Sequence, residues 1–419
     1  MLWERCVTAT FKALRRHRNY RLFWFGQLIS VTGTWLQSTG QAWLVLKMTG
    51  SALDLGLVAA CQYVPILLFG LAGGVFADRF DKRRALIFTQ SSNAVLALIL
   101  AVLTSTGAVR LWEVFVLAAC NGLVNTLDNP TRQSFVVDMV GAEDLPNAIA
   151  LNSSIVNGAR AVGPAIAGAL IASVGLFACF YLNAFSYVAV IAGLMLMRPA
   201  ELRRRAARAR QALLPALAGG LRYVRNDGTA LLVLILMAAI GTFGMNLQQV
   251  LVPVLASQGL KVGAVGFGVL MSAMGIGALI GALTVATLGR ATLAMVLAGA
   301  AAFSVLEMAV ALPVGYAGSV VLMFLLGGGS ILYTASSNSL LQLTVPDELR
   351  GRVMSIYFLL FAGTTPIGAP LLGDVMTHMG PWSGFAVAGG LSLLGAVYAI
   401  AARGMARPAV LAPARSLGD

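Results

Sequence analysis

The sequence has little charge for its length. Only 11% of its 419 residues are charged and 58% are hydrophobic, whereas an average soluble domain carries about 25% charged residues. So few charged side chains cannot cover the surface of a soluble protein of this size. Twelve membrane spans of about 20 residues each would account for the apolar fraction. The composition therefore predicts an all-α protein that crosses the membrane many times.

Cysteine and histidine are scarce and scattered. The chain has four cysteines, none within three residues of another, and two distant histidines, His17 and His378. This spacing excludes a CxxC metal or redox pair, so we expect neither a metal site nor a cofactor. None of the four lysines follows a glycine, which excludes a Walker-type phosphate loop within the chain.

Long runs without Asp, Glu, Lys or Arg divide the chain into twelve predicted spans. The first four occupy residues 22–46, 55–77, 85–109 and 114–127, and residues 145–197 hold two more that break near 173–175. Six further runs follow at 228–260, 262–289, 291–312, 317–345, 353–373 and 382–402. The predicted domains are a tail (1–21), a six-helix bundle (22–197), a basic linker (198–228), a second six-helix bundle (229–402) and a disordered tail (403–419).

The chain has a net charge of +13, and its basic residues lie mostly on one side of the membrane in this layout. With the N-terminus inside, 25 of the 29 Lys and Arg residues fall in inner segments, and only Lys47, Arg110 and Lys261 fall in outer loops. Cytoplasmic loops carry such an excess of basic residues. We therefore expect both termini in the cytoplasm of a bacterial cell and the spans in its plasma membrane. The arginine cluster at 203–210 predicts a helix near anionic lipid rather than a nucleic-acid site.

The two halves repeat one another faintly. The acidic triplets at 143–145 and 347–349 are 204 residues apart, and Gly163 and Gly168 precede Gly368 and Gly373 by 205. A repeat at half the length indicates a duplicated six-span unit. Such repeats are typical of transporters whose halves rock about a site near the middle of the membrane.

The loop between spans two and three carries a charged motif. Its glycine, acidic and basic positions are Gly74, Asp78, Arg79, Asp81, Lys82 and Arg83, followed by Leu86. This pattern resembles the signature loop of the major facilitator superfamily, with Asp81 in place of the usual glycine. The resemblance implies the fold of that superfamily over essentially the whole chain. It also implies a latch that shuts the cytoplasmic side, formed by Gly74, Asp78, Arg79, Lys82 and Arg83 with Asp128 as the acid on a neighbouring helix. The alternative is that the loop only sets topology.

Span five contains a second motif. Gly163, Pro164 and Gly168 resemble the GPxxGG motif of the superfamily's exporters, with Ala167 replacing a glycine. The segment from Asp128 resembles the branch that contains the enterobactin exporter and macrolide-efflux proteins. The resemblance implies export rather than uptake; the alternative is an ordinary packing kink. The arginine that many proton-coupled drug antiporters place in span four is replaced by Ala118, so their proton relay is not carried over.

A polar stripe follows span one. Its members recur at helical spacing and so share one face that must avoid lipid. In the superfamily that the chain resembles, spans one, four, seven and ten line the central cavity. A charge near the middle of the membrane, Arg160, must face water or an acid. The predicted cavity residues are Gln27, Ser30, Thr34, Gln37, Gln41, Asn121, Asn125, Arg160, Asn246, Gln249, Tyr333 and Asn338. The alternatives are polar packing between helices and, for Arg160, a bond to helix carbonyls or to Asp128.

These observations predict a secondary active exporter of a small amphipathic molecule, such as a siderophore or macrolide. We expect a monomer driven by protons, with Asp128, Glu113, Glu307 or Asp374 as the group that titrates. A membrane enzyme acting on lipids, a permease powered by a separate ATPase and, less favoured, a channel are the alternatives.

Overall fold

The computed structural model describes residues 11–77, 80–203, 213–288 and 291–405. Within these ranges every regular element is helical and no strand occurs. This confirms the predicted all-α class, and the helix bounds below position the candidate site.

The first half contains a short helix and the first six spans. Helix α1 (Lys12–Arg16) precedes α2 (Arg18–Thr49), which is span one and begins four residues before the predicted bundle. Spans two and three are α3 (Ala52–Ala77) and α4 (Lys82–Ser105). Spans four and five share α5 (Leu111–Ser173), and span six is α6 (Leu176–Met195). The break between spans five and six therefore lies where the sequence predicts it.

The connection between the halves begins with a 3-10 turn (Pro199–Glu201) and ends with α7 (Leu213–Asn226). Residues 204–212, which hold most of the arginine cluster, lie outside the described residues. Of the predicted C-terminal tail, the structure describes a 3-10 turn at Arg403–Met405 and nothing beyond it.

The second half contains six spans, and the first of them is irregular. Helix α8 (Gly228–Thr242) is followed by a 3-10 turn (Gly244–Asn246), a π turn (Leu247–Leu251), an α turn (Val252–Val254) and a second π turn (Leu255–Gly259). These form span seven. Spans eight to ten are α9 (Gly263–Leu288), α10 (Leu293–Val310) and α11 (Gly315–Thr344). Span eleven is split into α12 (Asp347–Ala362) and α13 (Thr365–Met379), and span twelve is α14 (Ser383–Ala402).

The length of these helices accounts for twelve crossings. Ten segments of the described chain are long and apolar enough to span a membrane. One of them, α5, has 63 residues and would extend about 95 Å if straight, enough for more than two crossings. It bends at Gly141, whose φ of 75° lies in the left-handed region that favours glycine. The 32-residue α2 adds one more crossing. It is not among the ten apolar segments because its polar stripe lowers its mean hydropathy.

Residue Asp81 shows what the departure from the signature loop does. Its carboxylate accepts a hydrogen bond from the backbone N–H of Arg84 at 2.9 Å and so caps the N-terminus of α4. A glycine cannot provide this bond, although glycine at a helix N-cap is only roughly a few tenths of a kcal/mol less favourable than aspartate. The substitution therefore stabilises the start of span three.

The halves meet through glycines arranged with twofold symmetry. We call the membrane side that holds α1 and α7 the inner side and the opposite side the outer side. A Cβ at Gly168 in span five would lie 2.6 Å from the carbonyl oxygen of Ala264 at the start of span eight. The equivalent Gly373 in span eleven approaches the carbonyl oxygen of Ala52 at the start of span two, at 2.4 Å. Small residues permit such close helix packing in membranes, and both contacts lie towards the outer side.

Hydrogen bonds and an aromatic pair reinforce the outer contact. The Gln258 side-chain amide donates to the Gly50 carbonyl at 2.7 Å, and the Leu53 backbone N–H donates to Thr377 Oγ1 at 3.2 Å. The rings of Trp43 and Phe267 stack with centroids 5.5 Å apart. Each contact joins a residue of the first half to one of the second, so the outer side is closed in this conformation.

Candidate functional site

A cavity of about 380 Å³ lies mainly within the first half. Its polar lining consists of amides, hydroxyls and one guanidinium, and it contains no Asp, Glu, His, Cys or Lys among the described lining residues. Spans one to six supply most of the wall, and span seven supplies the remainder. The polar lining residues are Thr34, Gln37, Ser38, Gln41, Gln62, Tyr63, Asn93, Asn121, Asn125, Asn129, Arg132, Asn183, Tyr187, Gln248 and Gln249.

An amide network centred on Asn121 orders one wall. The Asn121 side-chain oxygen accepts from Gln62 Nε2 at 3.1 Å and from Asn125 Nδ2 at 3.0 Å, and Asn121 Nδ2 donates to Asn93 Oδ1 at 3.0 Å. These residues come from spans two, three and four. On the other wall, Asn183 Nδ2 donates to Gln37 Oε1 at 2.7 Å. Because each amide uses only part of its bonding capacity in this network, the rest is available to a ligand.

The predicted cavity residues divide into two groups. Six of them line the cavity: Thr34, Gln37, Gln41, Asn121, Asn125 and Gln249. The other six do not, and their positions have separate reasons.

Two of those six lie on the inner part of span one, outside the cavity lining. Gln27 is 3% exposed and its Oε1 accepts from Arg132 Nη1 at 2.7 Å, and Ser30 is also 3% exposed. The polar stripe of span one therefore serves the cavity only over its outer part, while its inner part packs against other spans.

Three more belong to the second half, Asn246 in span seven and Tyr333 and Asn338 in span ten, and none of them lines the cavity. Tyr333 is fully buried against Gly299 of span nine, and the Asn338 side-chain oxygen accepts a bond from Gln342 one turn away. Asn246 is fully buried and donates to the Thr242 carbonyl at 2.6 Å. Span ten packs along spans eight and nine, and Tyr333 and Ser336 are fully buried there with hydroxyls that have no hydrogen-bond partner among the described residues.

The sixth, Arg160, lies behind the cavity wall. Its Cζ is 5.7 Å from the ring centroid of Trp35, which lines the cavity, and this is within the range of a cation–π interaction. Its Nε has no hydrogen-bond partner among the described residues. The guanidinium thus faces an aromatic ring rather than an acid.

The charge in the cavity comes from Arg132, which the sequence analysis missed. Its guanidinium forms an ion pair with Asp128, one helical turn earlier, and also donates to Gln27. Asp128 is fully buried and accepts two further bonds, from Thr89 Oγ1 at 2.6 Å and Gln90 Nε2 at 2.7 Å. The spacing of four residues between Asp128 and Arg132 on one helix face was the available signal.

The described members of the predicted latch have partners other than Asp128. Lys82 Nζ bonds Asp138 Oδ2 at 2.8 Å, and the Arg83 guanidinium donates to the carbonyls of Leu194 and Met195 at the end of span six. Cations at a helix C-terminus satisfy its last carbonyls. Gly74 lies in the last turn of α3, while Asp78 and Arg79 lie outside the described residues. Of the two arginines expected to pair with Asp128, Arg79 and Arg83, the described Arg83 caps the end of span six instead.

The exporter-type motif lies at a junction of three spans. A Cβ at Gly163 would lie 2.6 Å from the Cβ of Trp35 in span one, and a Cβ at Gly268 of span eight would lie 2.5 Å from the Pro164 carbonyl oxygen. Gly168 contacts the start of span eight, as described above. The motif thus packs span five simultaneously against the cavity-lining span one and the second half.

Comparisons with known proteins agree with this architecture. The profile of a family described as transmembrane secretion effector matches residues 8–410. The structure is similar to a solved peptide transporter, POT, with a TM-score of 0.75 at 15% identity, covering 93% of this chain and 95% of that one. This likeness confirms the predicted fold of the major facilitator superfamily.

Three relatives are named as transporters or efflux proteins. The staphyloferrin A transporter of Staphylococcus aureus is 34% identical over 36% of this chain and 38% of its own length. The multidrug efflux pump Tap of Mycolicibacterium fortuitum is 27% identical over 86% of this chain and 89% of its own. Macrolide efflux protein A of Streptococcus pyogenes is 22% identical over 38% of this chain and 40% of its own. The matched region thus spans less than half of the first and third of these relatives. Together with the family profile they confirm the predicted resemblance to siderophore and drug exporters.

Proposed function

We propose that this chain, which belongs to the transmembrane secretion effector family, exports a small amphipathic molecule across the bacterial plasma membrane by alternating access. The observation that carries the proposal is the amide-lined cavity near the centre of a two-bundle fold that is closed on its outer side. A transporter in this state loads substrate from the inner side. Switching the contact between the halves would release that substrate on the outer side.

The lining suggests the class of substrate. Neutral amides and hydroxyls offer both donors and acceptors, and Trp35, Tyr63 and Tyr187 offer apolar faces. A volume of about 380 Å³ lies at the lower end of the range typical of small-molecule sites. Arg132 adds one positive charge at the inner end. Siderophores and macrolides, named by two of the relatives, carry many oxygen acceptors on an apolar framework and suit such a surface.

Several finer features belong to the same proposal. Both termini are cytoplasmic, because the basic residues concentrate on that side. The energy comes from proton antiport and the protein acts as a monomer. The protein acts as a transporter and not as an enzyme, in line with the transporters and efflux pumps to which it is similar.

Transport by everted membrane vesicles tests the proposal. Vesicles that contain the protein receive radiolabelled erythromycin, a macrolide, or a carboxylate siderophore, with an imposed pH gradient and no ATP. We expect uptake of at least one compound that stops when a protonophore is added. Uptake that appears only when ATP is added in a parallel sample would indicate a permease with a separate ATPase, and no uptake of either compound would contradict the proposed substrate class.

A further inference from the structure

The second half buries a carboxyl group that has no partner. Glu307 lies near the outer end of span nine, is 0% exposed, and neither of its side-chain oxygens has a hydrogen-bond partner among the described residues. A buried carboxylate without donors is costly, whereas the protonated acid is tolerated. Acids within membrane spans mark ion or proton sites by default.

The surroundings of Glu307 offer it no counter-charge. Its helix packs against α8, α11 and α14, whose sequences contain no Asp, Glu, Lys, Arg or His. The titratable groups on these helices are three tyrosines. Tyr316 donates to the Gly266 carbonyl, Tyr398 is 55% exposed, and the backbone of Tyr333 packs on Gly299, two turns inward of Glu307. Asp227, the N-cap of α8, accepts from Ala230 and Tyr223 at the other end of the helix.

The other acids that the sequence offers for this role are already engaged. Asp128 holds Arg132, Thr89 and Gln90. Glu113 accepts from the Arg110 backbone N–H at 2.8 Å, and the exposed Asp374 lies 3.3 Å from His378 Nδ1. Of the four candidates, Glu307 is the one whose environment favours a bound proton.

Glu307 also lies beside the break in span seven. A Cβ at Gly244, the first residue of the 3-10 turn, would lie 3.0 Å from both Glu307 Oε2 and Ser392 Oγ. The Ser392 hydroxyl is likewise fully buried and without a partner. Irregular turns inside membrane helices recur at functional sites. A change in the charge or hydration of Glu307 therefore acts directly on the irregular part of span seven.

That part of span seven holds the two halves together at the cavity. Gln248 Nε2 donates to Ser38 Oγ at 2.9 Å, and Gln249 Nε2 donates to Tyr63 Oη at 3.3 Å. Both glutamines line the cavity, and they follow Gly244 by four and five residues. The acid and the cavity are thus connected through little more than one helical turn.

We propose that Glu307 carries the transported proton, and this rests on the proposed function as a proton-coupled exporter. With the outer side closed and the cavity empty, the carboxyl group is protonated. Substrate binding at Gln248 and Gln249 displaces span seven and admits water. The O–H bond of Glu307 then breaks and the proton passes to water on the inner side, leaving a carboxylate. After release of the substrate outside, the carboxylate takes a proton from outer water and the cycle returns.

Infrared spectroscopy of the protein in lipid vesicles tests this assignment without a substrate. We expect a carboxylic-acid C=O band that disappears at high pH in the wild type, is absent in Glu307→Gln, and remains in the control Asp374→Asn. Glu307→Asp, which keeps the acid but shortens the chain, should retain a titrating band at a shifted pH. A titrating band that persists unchanged in Glu307→Gln, or the lack of one in the wild type, would overturn the assignment.

Transport of erythromycin provides the second arm. Glu307→Gln should lose accumulation driven by a pH gradient but keep downhill exchange, while Asp374→Asn keeps both. Uphill accumulation by Glu307→Gln would overturn the proposal. If the wild type moves neither erythromycin nor siderophore, the proposed function fails for these substrates, and the infrared arm still decides whether Glu307 holds a titratable proton.

Discussion

Among the described residues, each half of the protein has one acid at 0% exposure, and the surroundings of these two acids are opposite in kind. In the first half Asp128 is held by the guanidinium of Arg132 and by two neutral donors. In the second half Glu307 has no donor at all among the described residues. Although the halves pack through symmetric glycines, one uses its acid as a fixed charge that shapes the cavity. The other keeps an acid that can change charge beside an irregular helix.

The largest difference between the halves is expected in the loss of stability when each acid is neutralised. Asp128→Asn leaves Arg132 without its counter-ion, and breaking a buried pair costs about 3–5 kcal/mol. Because the Arg132 side chain is 28% exposed, we expect a loss of stability of about 3 kcal/mol, measured as reversible unfolding in detergent. Glu307→Gln should leave stability almost unchanged, since the native group is already neutral. Equal destabilisation by the two substitutions would contradict the comparison.

A double substitution sharpens the result for the first half. Asp128→Asn combined with Arg132→Gln removes both charges and should recover most of the lost stability. If the double variant is as unstable as the sum of the single variants, the ion pair is not the reason for the effect.

The symmetric glycines should both control closure of the outer side. Leucine at Gly168 or Gly373 cannot fit against the facing carbonyl, so either variant should favour the outward-open state. The expected shift is a tenfold or greater change in population, about 1.4 kcal/mol or more. Spin-label distances across the outer side measure it. Gly158→Leu in the same helix as Gly168 is the matched control, because nothing lies within 4 Å of its Cβ position. A shift in only one of the two glycine variants would show that the halves do not close symmetrically.

The amides of the first half should matter for substrate, and those of span ten should not. Asn121→Leu removes the centre of the cavity network, and the loss of one or two hydrogen bonds to a ligand costs about 1 kcal/mol each. We expect roughly fivefold to thirtyfold weaker apparent affinity for erythromycin, read from the concentration dependence of transport. Asn338→Leu should leave that affinity unchanged. The reverse result would place the substrate in the second half.

The smallest effect is expected at the inner surface of the first half. Lys12 bonds Glu143 and Asp144, and these hydrogen bonds raise the pKa of its amino group. The pair is therefore charged at neutral pH and would weaken only as the pH rises through that raised value. Lys12→Gln should leave transport unchanged, because Arg16 and His17 also contact Asp144. A marked loss of transport would assign α1 a role in gating.

Much of the fold could be predicted from hydrophobic runs, because membrane spans need long apolar segments. The break between spans five and six was predicted in this way, and the paired glycines of the two halves were predicted from the faint internal repeat. The side-chain partners were harder to predict. Arg79 or Arg83 was expected to meet Asp128, but the described Arg83 donates to the carbonyls at the end of span six, and Arg132 on the same helix as Asp128 pairs with that acid.

The residues that line the cavity differ in part from the predicted ones, and the difference has a physical reason. The helical periodicity of span one identifies a polar face but does not show how deep each residue lies, so Gln27 and Ser30 were assigned to the lining. The turns of span seven direct Gln248 and Gln249 into the cavity, whereas Asn246 is buried. No periodicity in the sequence indicates the π turns. Span ten looked polar, yet Tyr333, Ser336 and Ser337 are buried within their own bundle.

Paired distance measurements test alternating access most directly. Spin labels at Val174 and Leu312 report on the outer side, and labels at Phe80 and Leu343 report on the inner side; all four side chains are exposed. High pH removes the proton from Glu307. When erythromycin is added under this condition, we expect the outer distance to lengthen and the inner distance to shorten. Distances that stay fixed, or that both change in the same direction, would contradict rocking of the two halves about the cavity.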